Sequence, residues 1–372
     1  MKLNIAVLSG DGIGPEVTAQ SIKVLKAIAS QFNHTFVFKE GVVGAIAIDK
    51  TGTPLPEKTL ELCKAADAIL FGAIGDPKYD NDPSAKVRPE QGLLKLRKDL
   101  GLYANIRPVK AYETLLDKSP LKKEIIQGTD IIIYRELTGG IYFGEKKLSE
   151  DGNTASDLCE YSRFEIERIA HLAFKSAQTR RKKLTLVDKA NVLESSRLWR
   201  RVVTENASQY PDVALDFLFV DNAAMQIILN PSQFDVILTE NMFGDIISDE
   251  ASVIGGSIGL LASASIGDKY AMFEPIHGSY PQATGKGIAN PIASILSAAM
   301  LLEHFGLHEE AKLISQGVDK SLKLQITTPD LNDATEKIST SKVGNFIEDF
   351  INNPTDSNKN FVNIHLGQST II

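Results

Sequence analysis

The first 72 residues alternate short apolar runs with segments of helical periodicity, and this alternation constrains the fold more than any other feature of the chain. Buried strands are predicted at 5–8, 36–38 and 68–71, and amphipathic helices at 16–29 and 57–65. Strands that alternate with helices pack as a mostly parallel sheet with helices on its faces. The sequence therefore predicts an α/β fold.

The rest of the chain carries the same two kinds of signal. In the middle region, strands are predicted at 131–134, 184–187, 215–220 and 235–238, and helices at 162–179 and 195–209. The chain closes with predicted helices at 291–305, 309–323 and 342–352 and a strand candidate at 361–365. The Gly- and Pro-rich segment 72–89 is long enough to be a functional loop. At roughly 150 residues per domain, a chain of this length is expected to form two domains.

Charge and cysteine content narrow the class of protein. With 40 basic and 47 acidic residues the formal net charge is -7, which argues against nucleic-acid binding because phosphate contacts require clustered Lys and Arg. The one dense basic cluster, at 180–183, is expected to be a solvated helix end. The two cysteines, Cys63 and Cys159, lack metal-ligand spacing and indicate a reducing compartment. Without a signal-peptide pattern or an apolar stretch of membrane length, the sequence favours a soluble cytoplasmic protein.

The segment 234–249, FDVILTENMFGDIISD, reads as a buried strand, a turn and a helix that begins at Asp245. Asp245 and Asp249 are four residues apart, so both carboxylates would project from one helix face about 6 Å apart. A third acid, Asp221, ends the strand predicted at 215–220, at the edge where open α/β sheets bind ligands. Three such acids could hold Mg²⁺ or Mn²⁺. The alternatives are solvated surface acids, or Asp245 as a helix cap.

Three arginines, Arg97, Arg107 and Arg135, each lie beside apolar residues. Guanidinium groups bind carboxylates through two parallel hydrogen bonds, so several converging arginines suit a di- or tricarboxylate. The alternative is that each arginine forms a structural ion pair. Arg135 has Glu136 as its neighbour, but adjacent residues of a strand point to opposite faces.

Tyr142 follows the glycine-rich reversal ELTGG, and Lys189 ends the strand predicted at 184–187. Both side chains are weak acids at neutral pH unless their surroundings lower the pKa. Near a metal ion and three arginines a lowered pKa is expected, and the two groups could then relay protons. The alternative is a packed tyrosine and a surface lysine.

Two glycine-containing segments need separate interpretation. The segment 9–16, SGDGIGPE, follows the first strand, but its glycines do not have the spacing of the Rossmann fingerprint. We therefore predict no Rossmann site there. The segment 274–291, EPIHGSYPQATGKGIANP, precedes a helix and could wrap around a nucleotide or be only a structured turn.

Several long motifs, in this order, resemble the isocitrate and isopropylmalate dehydrogenase family over essentially the whole chain: GDGIGPE, LLKLRKDLGLYANIRP, RELTGGIYFGE, VDKANVL, FDVILTENMFGDIISDEAS and EPIHGSYPQATGKGIANP. The resemblance implies a non-Rossmann fold of two α/β domains flanking a central cleft. The first domain would contain residues 1–103 and 256–372, and the second, 104–255, would carry the interface of a homodimer. By analogy, Lys189 and Asp221 would reach the cleft of the partner subunit.

The resemblance also implies residue roles in an oxidative decarboxylation. Arg97, Arg107 and Arg135 match residues that bind the malate carboxylates. Asp221, Asp245 and Asp249 match ligands of Mg²⁺ or Mn²⁺, with Asp221 also beside the substrate. Lys189 would be the base on the 2-hydroxyl during hydride transfer to NAD, and Tyr142 would protonate the enolate carbon. The residues expected to contact the cofactor are Gly75, Asp76, Glu90, Glu274, His277, Gly278, Ser279, Gln282 and Asn290.

Within the family, substrate choice is decided near Glu90, Leu93 and Leu94. The two leucines can bury an isopropyl group, a gain of about 2 kcal/mol, and Glu90 would repel the third carboxylate of isocitrate. These residues favour 3-isopropylmalate, an intermediate of leucine biosynthesis. Many relatives carry Asp where this chain has Gln282, which weakens the expectation of strict NAD preference. NAD stays favoured because the Lys-Tyr pair of NADP-dependent isocitrate enzymes is absent at 282–283.

Other functions remain as alternatives. A sister dehydrogenase acting on D-malate, tartrate, homoisocitrate or isocitrate would share the same site residues. A catalytically silent regulatory subunit should have lost catalytic or metal positions, yet Tyr142, Lys189 and the three aspartates are all present. Metal-assisted phosphoryl transfer is disfavoured because the chain has no G-x-x-x-x-G-K-[ST] loop.

Overall fold

The computed structural model describes residues 1–80, 87–331 and 337–353. In chain order, its strands are β1 (Lys2–Gly10), β2 (Thr35–Glu40), β3 (Ala68–Ala73), β4 (Ala104–Lys110), β5 (Asp130–Glu136), β6 (Lys146–Leu148), β7 (Ala155–Asp157), β8 (Lys183–Asp188), β9 (Ala214–Phe219), β10 (Val236–Thr239), β11 (Ala262–Ile266) and β12 (Ala271–Pro275).

Its α-helices are α1 (Gly14–Gln31), α2 (Ala45–Thr51), α3 (Glu57–Ala65), α4 (Pro77–Asp80), α5 (Pro89–Asp99), α6 (Lys123–Ile126), α7 (Arg163–Thr179), α8 (Glu194–Ala207), α9 (Val220–Leu229), α10 (Asn241–Ser252), α11 (Ile292–His304), α12 (His308–Lys323) and α13 (Thr340–Asn352). No helix within 1–80, 87–331 and 337–353 is long and apolar enough to cross a bilayer.

The chain divides into two compact units. Unit 1 contains residues 1–92 and 273–372, and unit 2 contains residues 93–272. These boundaries differ from the expected domain boundaries after residues 103 and 255. One reason is that β11 pairs antiparallel with β4, which holds the segment after residue 255 within unit 2.

The sheet of unit 1 has the strand order β2-β1-β3-β12, and β1 runs parallel to both β2 and β3. All six residues of β3 are buried, as expected for a central strand of a parallel sheet. Helix α1 buries Val17, Val24 and Ile28, at the spacing of one helix face. The parallel α/β arrangement predicted for the first 72 residues is confirmed.

The sheet of unit 2 has the order β11-β4-β5-β10-β8-β9, with β5, β10, β8 and β9 parallel and β4 antiparallel to its neighbours. Alternate strand residues enter two cores. Leu186 and Leu238 pack with Phe174 and Trp199 from the α7 and α8 side. Ile237 precedes Leu238 on β10 and therefore points to the opposite face of the sheet. Together with Ile133 of β5 it packs against residues of α9 and α10. Helices therefore cover both faces of this sheet.

Several elements differ from the predicted ones. Helix α10 begins at Asn241 rather than at Asp245, so Asp245 lies within the second turn. Asp221 does not end a strand, because β9 stops at Phe219 and Asp221 lies in the first turn of α9. Helices α2 and α5 were not predicted, and α4 interrupts the segment expected to be a loop. The strand candidate at 361–365 lies outside the described residues.

The basic cluster at 180–183 is not simply a solvated helix end. Arg180 donates to Asp235 at 2.8 Å and to the Asp130 carboxylate at 2.7 Å. Arg181 donates to the backbone carbonyl oxygens of Asp130 and Phe234. The cluster therefore ties the end of α7 to the beginnings of β5 and β10, and the expectation was wrong because strand ends also present carbonyl oxygens.

Candidate active site

A cluster of arginines and aspartates lies on β4, β5 and α10 of unit 2. Arg107 Nη1 lies 3.1 Å from Asp249 Oδ1, and its Nη2 lies 3.8 Å from Asp245 Oδ1. Arg135 Nη1 donates a hydrogen bond to the same Asp245 oxygen. Both arginines are buried, at 7% and 5% exposed. Two buried arginines thus lie beside two aspartates, and this arrangement supports a site that binds a carboxylate ligand.

The positive charges of the arginines in this cluster lie close enough to affect one another. Burial, followed by the nearby Arg107, lowers the pKa of Arg135 to about 10, and Asp245 partly offsets both effects. The charge of Arg97, on α5, also contributes to this lowering, which places Arg97 near the same cluster. Buried guanidinium groups require anionic partners. Asp245 and Asp249 supply such partners in this structure.

Tyr142 also reaches this cluster. It ends a 3₁₀ turn at Gly140–Tyr142, and its hydroxyl donates to Asp245 Oδ2 at 3.0 Å. Gly140 has φ +73°, and a Cβ there would lie 2.3 Å from the Tyr161 hydroxyl oxygen, so this turn requires glycine. Burial, and then Asp245, raises the pKa of Tyr142, and the lowering expected near a bound metal ion stays a prediction. The phenol stays protonated at neutral pH, as a proton donor must.

Lys189 and Asp221 form a separate pair. Their elements are neighbours, because Asp188 of β8 is registered with Phe219 of β9. Lys189 Nζ donates to Asp221 Oδ1 at 2.6 Å, and this hydrogen bond is the main reason that the pKa of Asp221 is lowered. Lys189 and Asp221 therefore form an ion pair.

The three aspartates do not converge in one chain. Within the described residues, no group of three or more His, Cys, Asp or Glu side chains is arranged to hold a metal ion. Asp245 and Asp249 share the Arg107 contact, whereas Asp221 pairs with Lys189. A single copy therefore presents two parts of the expected metal site, and the three-acid cage predicted from sequence is absent from the described part of one chain.

Sequence reasoning missed the polar residues that orient the arginines. Asn241 Oδ1 accepts from Arg135 Nε at 3.1 Å and Nη2 at 2.9 Å, and Asn241 Nδ2 donates to the Gly139 carbonyl at 3.2 Å. Asn105 accepts from Arg107 Nε at 2.6 Å. Spacing could have revealed both residues. Asn105 is two residues from Arg107 on a strand, and Asn241 is four residues before Asp245 on a helix.

In unit 1, residues expected to contact the cofactor surround Gly75, which has φ +118°. A Cβ at Gly75 would lie 3.0 Å from Glu90 Oε1 and 3.4 Å from Ser279 Oγ. Three separate segments of the chain, 75–76, the start of α5 and the loop after β12, therefore meet here. At this positive φ, only a residue without a Cβ lets the three segments approach one another so closely.

The loop after β12 carries the other expected cofactor residues. His277 is buried, its Nδ1 lies 3.0 Å from the Gly278 carbonyl oxygen, and burial lowers its pKa. Its Nε2 is buried and has no hydrogen-bond partner among the described residues. Asn290 is held by Asp330 at 3.0 Å, Glu274 is buried on β12, and Gln282 is exposed. A buried ring nitrogen without a partner fits a site completed by a ligand.

Helix α5 carries the residues expected to select the substrate. Leu94 is 40% exposed, Leu93 is half-buried and Glu90 is exposed. Glu90, Leu93 or Leu94, and Arg97 follow one another at helical spacings of three and four. Apolar side chains therefore lie one turn before Arg97 on the same side of the helix.

Comparison with known proteins identifies the family of this chain. The family model described as isocitrate/isopropylmalate dehydrogenase matches residues 4–347. The chain is 55% identical over 352 residues to the 3-isopropylmalate dehydrogenase of Bacteroides fragilis, covering 94% of this chain and 99% of that protein. It is 54% identical over 349 residues to the enzyme of the same name from Bacillus subtilis, covering 92% and 95%.

Solved structures give the same assignment. The isocitrate dehydrogenase from Methylococcus capsulatus superimposes with a TM-score of 0.83 at 34% identity, covering 94% of this chain and 99% of that one. A beta-decarboxylating dehydrogenase from Thermococcus kodakarensis gives a TM-score of 0.79 at 37% identity, covering 95% and 98%. With a family model matched along nearly its whole length, the chain belongs to the isocitrate/isopropylmalate dehydrogenase family.

Proposed function

We propose that the chain catalyses the NAD-dependent oxidative decarboxylation of (2R,3S)-3-isopropylmalate to 4-methyl-2-oxopentanoate and CO₂, in leucine biosynthesis. The observation that carries this proposal is the buried pair Arg107 and Arg135 facing Asp245 and Asp249. This arrangement supports a role for the two arginines in binding carboxylates and for the two aspartates as oxygen donors to a divalent cation. Relatives named 3-isopropylmalate dehydrogenase, at 54–55% identity over most of the chain, support the choice of reaction.

The substrate is held by charge at one end and by apolar surface at the other. Arg97, Arg107 and Arg135 bind the two malate carboxylates, and the crowding of their charges favours an anionic partner. Leu93 and Leu94 contact the isopropyl group. Glu90, one turn away, disfavours a substrate with a third carboxylate. This combination distinguishes 3-isopropylmalate from isocitrate.

Asp245 and Asp249, with Asp221 from a second copy of the chain, provide hard oxygen ligands that fit Mg²⁺ or Mn²⁺. When bound, NAD would supply the acceptor for the hydride of C2, and a divalent ion held by these aspartates would supply the positive charge that offsets the negative charge left by decarboxylation. Lys189 takes the proton of the 2-hydroxyl. Tyr142, which is protonated at neutral pH, gives a proton to the carbon that has lost CO₂.

The second copy is needed because one chain leaves Asp221 outside the Asp245 and Asp249 group. On α9, Asp221 is followed at helical spacing by the exposed Met225 and Ile228, which are 55% and 40% exposed. Helix α9 packs beside α10, which exposes Ile246 at 57%. Exposed apolar surface of this kind marks a protein interface. We propose a homodimer in which this face is buried and Asp221 with Lys189 enters the site of the partner.

NAD is the proposed coenzyme in preference to NADP. Two observations support a dinucleotide site: His277 Nε2 is buried and has no hydrogen-bond partner among the described residues, and segments expected to contact the cofactor approach one another closely at Gly75. The exposed Gln282 can hydrogen-bond a ribose hydroxyl but carries no charge to repel a 2′-phosphate. We therefore expect a preference for NAD that is weaker than in relatives with aspartate at this position.

The experiment is a turnover assay of the purified enzyme with Mn²⁺ and either NAD or NADP. The substrates are 3-isopropylmalate, D-malate, tartrate, homoisocitrate and isocitrate, each with and without a chelator. We expect NAD-dependent turnover of 3-isopropylmalate to exceed that of the other acids and to stop on chelation. Faster oxidation of D-malate, or turnover that survives removal of the metal, would contradict the proposal.

A further inference from the structure

The turn between β1 and α1 contains the GDGIGPE motif, to which the proposed function gives no role. At its centre the Asp11 carboxylate is only 6% exposed. Asp11 Oδ2 accepts from Ala45 N at 2.8 Å and from Gly75 N at 3.0 Å, and Oδ1 accepts from Ile46 N at 3.0 Å. One buried carboxylate thus joins its own turn to two other parts of the chain, 45–46 and 75, through three backbone amides.

Two of these amides begin helix α2, and the third belongs to the expected cofactor segment. Gly44, which precedes α2, has φ +81°, and a Cβ there would lie 2.3 Å from Asp11 Oδ2. The backbone can therefore approach the carboxylate only because residue 44 is glycine. Since α2 is anchored by the same carboxylate as Gly75, a shift of Asp11 would move both.

The other side of the turn holds the loop after β12. Ile13 N donates to the Ser279 carbonyl oxygen at 2.8 Å, and a Cβ at Gly12 would lie 2.0 Å from that oxygen. The next residue, Tyr280, has φ +40° and is 55% exposed. A bulky residue in the left-handed region is strained, and such a conformation persists only where neighbouring contacts hold it. The contact between Ile13 and Ser279 provides one such restraint.

We propose that Asp11 is a positioning residue for the coenzyme. The turn 10–14 contacts two segments that are expected to bind the cofactor. Asp11 accepts a hydrogen bond from Gly75 N, and Gly12 and Ile13 contact the carbonyl oxygen of Ser279. Asp11 acts through these segments and not by touching a reacting atom. The inference rests on the proposed function, which assigns both segments to the coenzyme.

The test compares Asp11→Asn with a matched control. Asparagine keeps the size of the side chain but has only one acceptor oxygen, so at least one of the three backbone amides at Ala45, Ile46 and Gly75 faces an amide donor and loses its acceptor. The control is Asp67→Asn, in the same unit at the opposite end of β3. Asp67 accepts from Asn4 N at 2.6 Å and from Asn4 Nδ2 at 3.2 Å.

For the dimeric enzyme, calorimetry measures the Kd of NAD and of 3-isopropylmalate with Mn²⁺, and scanning fluorimetry measures Tm. We expect Asp11→Asn to raise the Kd of NAD by roughly tenfold, the loss expected for breaking about one hydrogen bond to a charged group, and to leave the Kd of the acid unchanged. Asp67→Asn should change neither Kd. Unchanged NAD affinity in Asp11→Asn, or equal weakening of both ligands, would overturn the inference.

A second measurement does not depend on the folding of a variant. Hydrogen exchange of the wild-type enzyme is followed with and without NAD. Because Asp11 couples Gly75 to α2, NAD should increase protection of the amides at 45–46 as well as at 75. Protection at 75 with no change at 45–46 would overturn the coupling. A wild-type enzyme that binds no NAD would overturn the proposed function itself, and the inference with it.

Discussion

The two units position their candidate functional residues in different ways. In unit 2, Arg107 and Arg135 meet Asp245 and Asp249 through side-chain ion pairs. In unit 1, the segments around Gly75 and Ser279 are placed by backbone amides and by glycines that leave no room for a Cβ. We therefore expect substitutions that remove a charge to have the larger effect on activity in unit 2, and substitutions that alter the backbone conformation to have the larger effect in unit 1.

The largest expected effect tests the role of charge in unit 2. Asp245→Asn keeps the shape of the side chain but removes the negative charge that faces Arg135 and Arg107 and that is proposed to bind the metal ion. We expect turnover to fall by at least about 100-fold with the fold retained, since metal ligands are highly sensitive to such changes. The measurements are kcat with Mn²⁺ and circular dichroism. Asp117→Asn, an exposed acid of the same unit, is the control, and retained activity in Asp245→Asn would remove Asp245 from the metal site.

The next largest effect concerns Glu240, a buried carboxyl group of unit 2 that differs from Asp245 and Asp249 because no arginine pairs with it among the described residues. Glu240 is 4% exposed, its Oε2 has no hydrogen-bond partner among the described residues, and burial followed by the charge of Glu136 raises its pKa to about 7. A raised carboxyl pKa gives stability that is complete below the unfolded value of 4.5 and is lost as the pH rises through 7. Glu240→Gln should therefore be more stable than the wild type by about 3 kcal/mol at pH 8 and similar at pH 4.5.

Denaturant unfolding at several pH values measures this difference. The control is Glu124→Gln on α6, where the acid is exposed. A pH dependence of stability that is the same in Glu240→Gln and in the wild type would show that Glu240 does not titrate in this range.

The third effect tests the role of shape in unit 1. Gly12→Ala adds a Cβ 2.0 Å from the Ser279 carbonyl oxygen at φ +58°, whereas Gly52→Ala adds one at φ +77° with nothing within 4 Å. Both variants carry backbone strain, so their difference isolates the contact with the loop. We expect Gly12→Ala to lose about 1–3 kcal/mol more stability than Gly52→Ala. We also expect only Gly12→Ala to weaken NAD binding, and equal NAD affinities of the two variants would contradict the importance of this contact.

The smallest effect concerns substrate selection. Leu94→Ala removes apolar surface expected to contact the isopropyl group. The value of kcat/KM for 3-isopropylmalate should fall by roughly five- to tenfold, while that for D-malate should not change. Leu324→Ala, which truncates a leucine of similar exposure just after α12, is the control. Equal losses for both substrates would exclude Leu94 from the isopropyl contact.

Much of the site could be predicted because it depends on local periodicity. The prediction that Arg135 and Glu136 point to opposite faces is confirmed, since Arg135 reaches Asp245 whereas Glu136 accepts from Gly139 N at 2.7 Å and lies 3.5 Å from Arg168. The spacing of Asp245 and Asp249 likewise predicted that both carboxylates would project from one face of the helix, and both contact Arg107.

Other features could not be predicted because they depend on contacts between distant segments. Helix α2 lies between Gly44 and Gly52 and is anchored by Asp11, which is more than thirty residues earlier in the chain. The raised pKa of Tyr142 follows from burial that the sequence does not reveal. The separation of Asp221 from the other two aspartates depends on the positions of α9 and α10, which local patterns do not specify.

The most direct test of a site shared between two copies is complementation. Asp221→Asn and Asp245→Asn, each nearly inactive alone, are mixed, unfolded and refolded together. In a mixed dimer one site receives both intact aspartates, so random pairing should restore roughly a quarter of the wild-type activity. Activity no higher than that of the separate variants would contradict the account, because it would show that Asp221 and Asp245 do not meet across two copies.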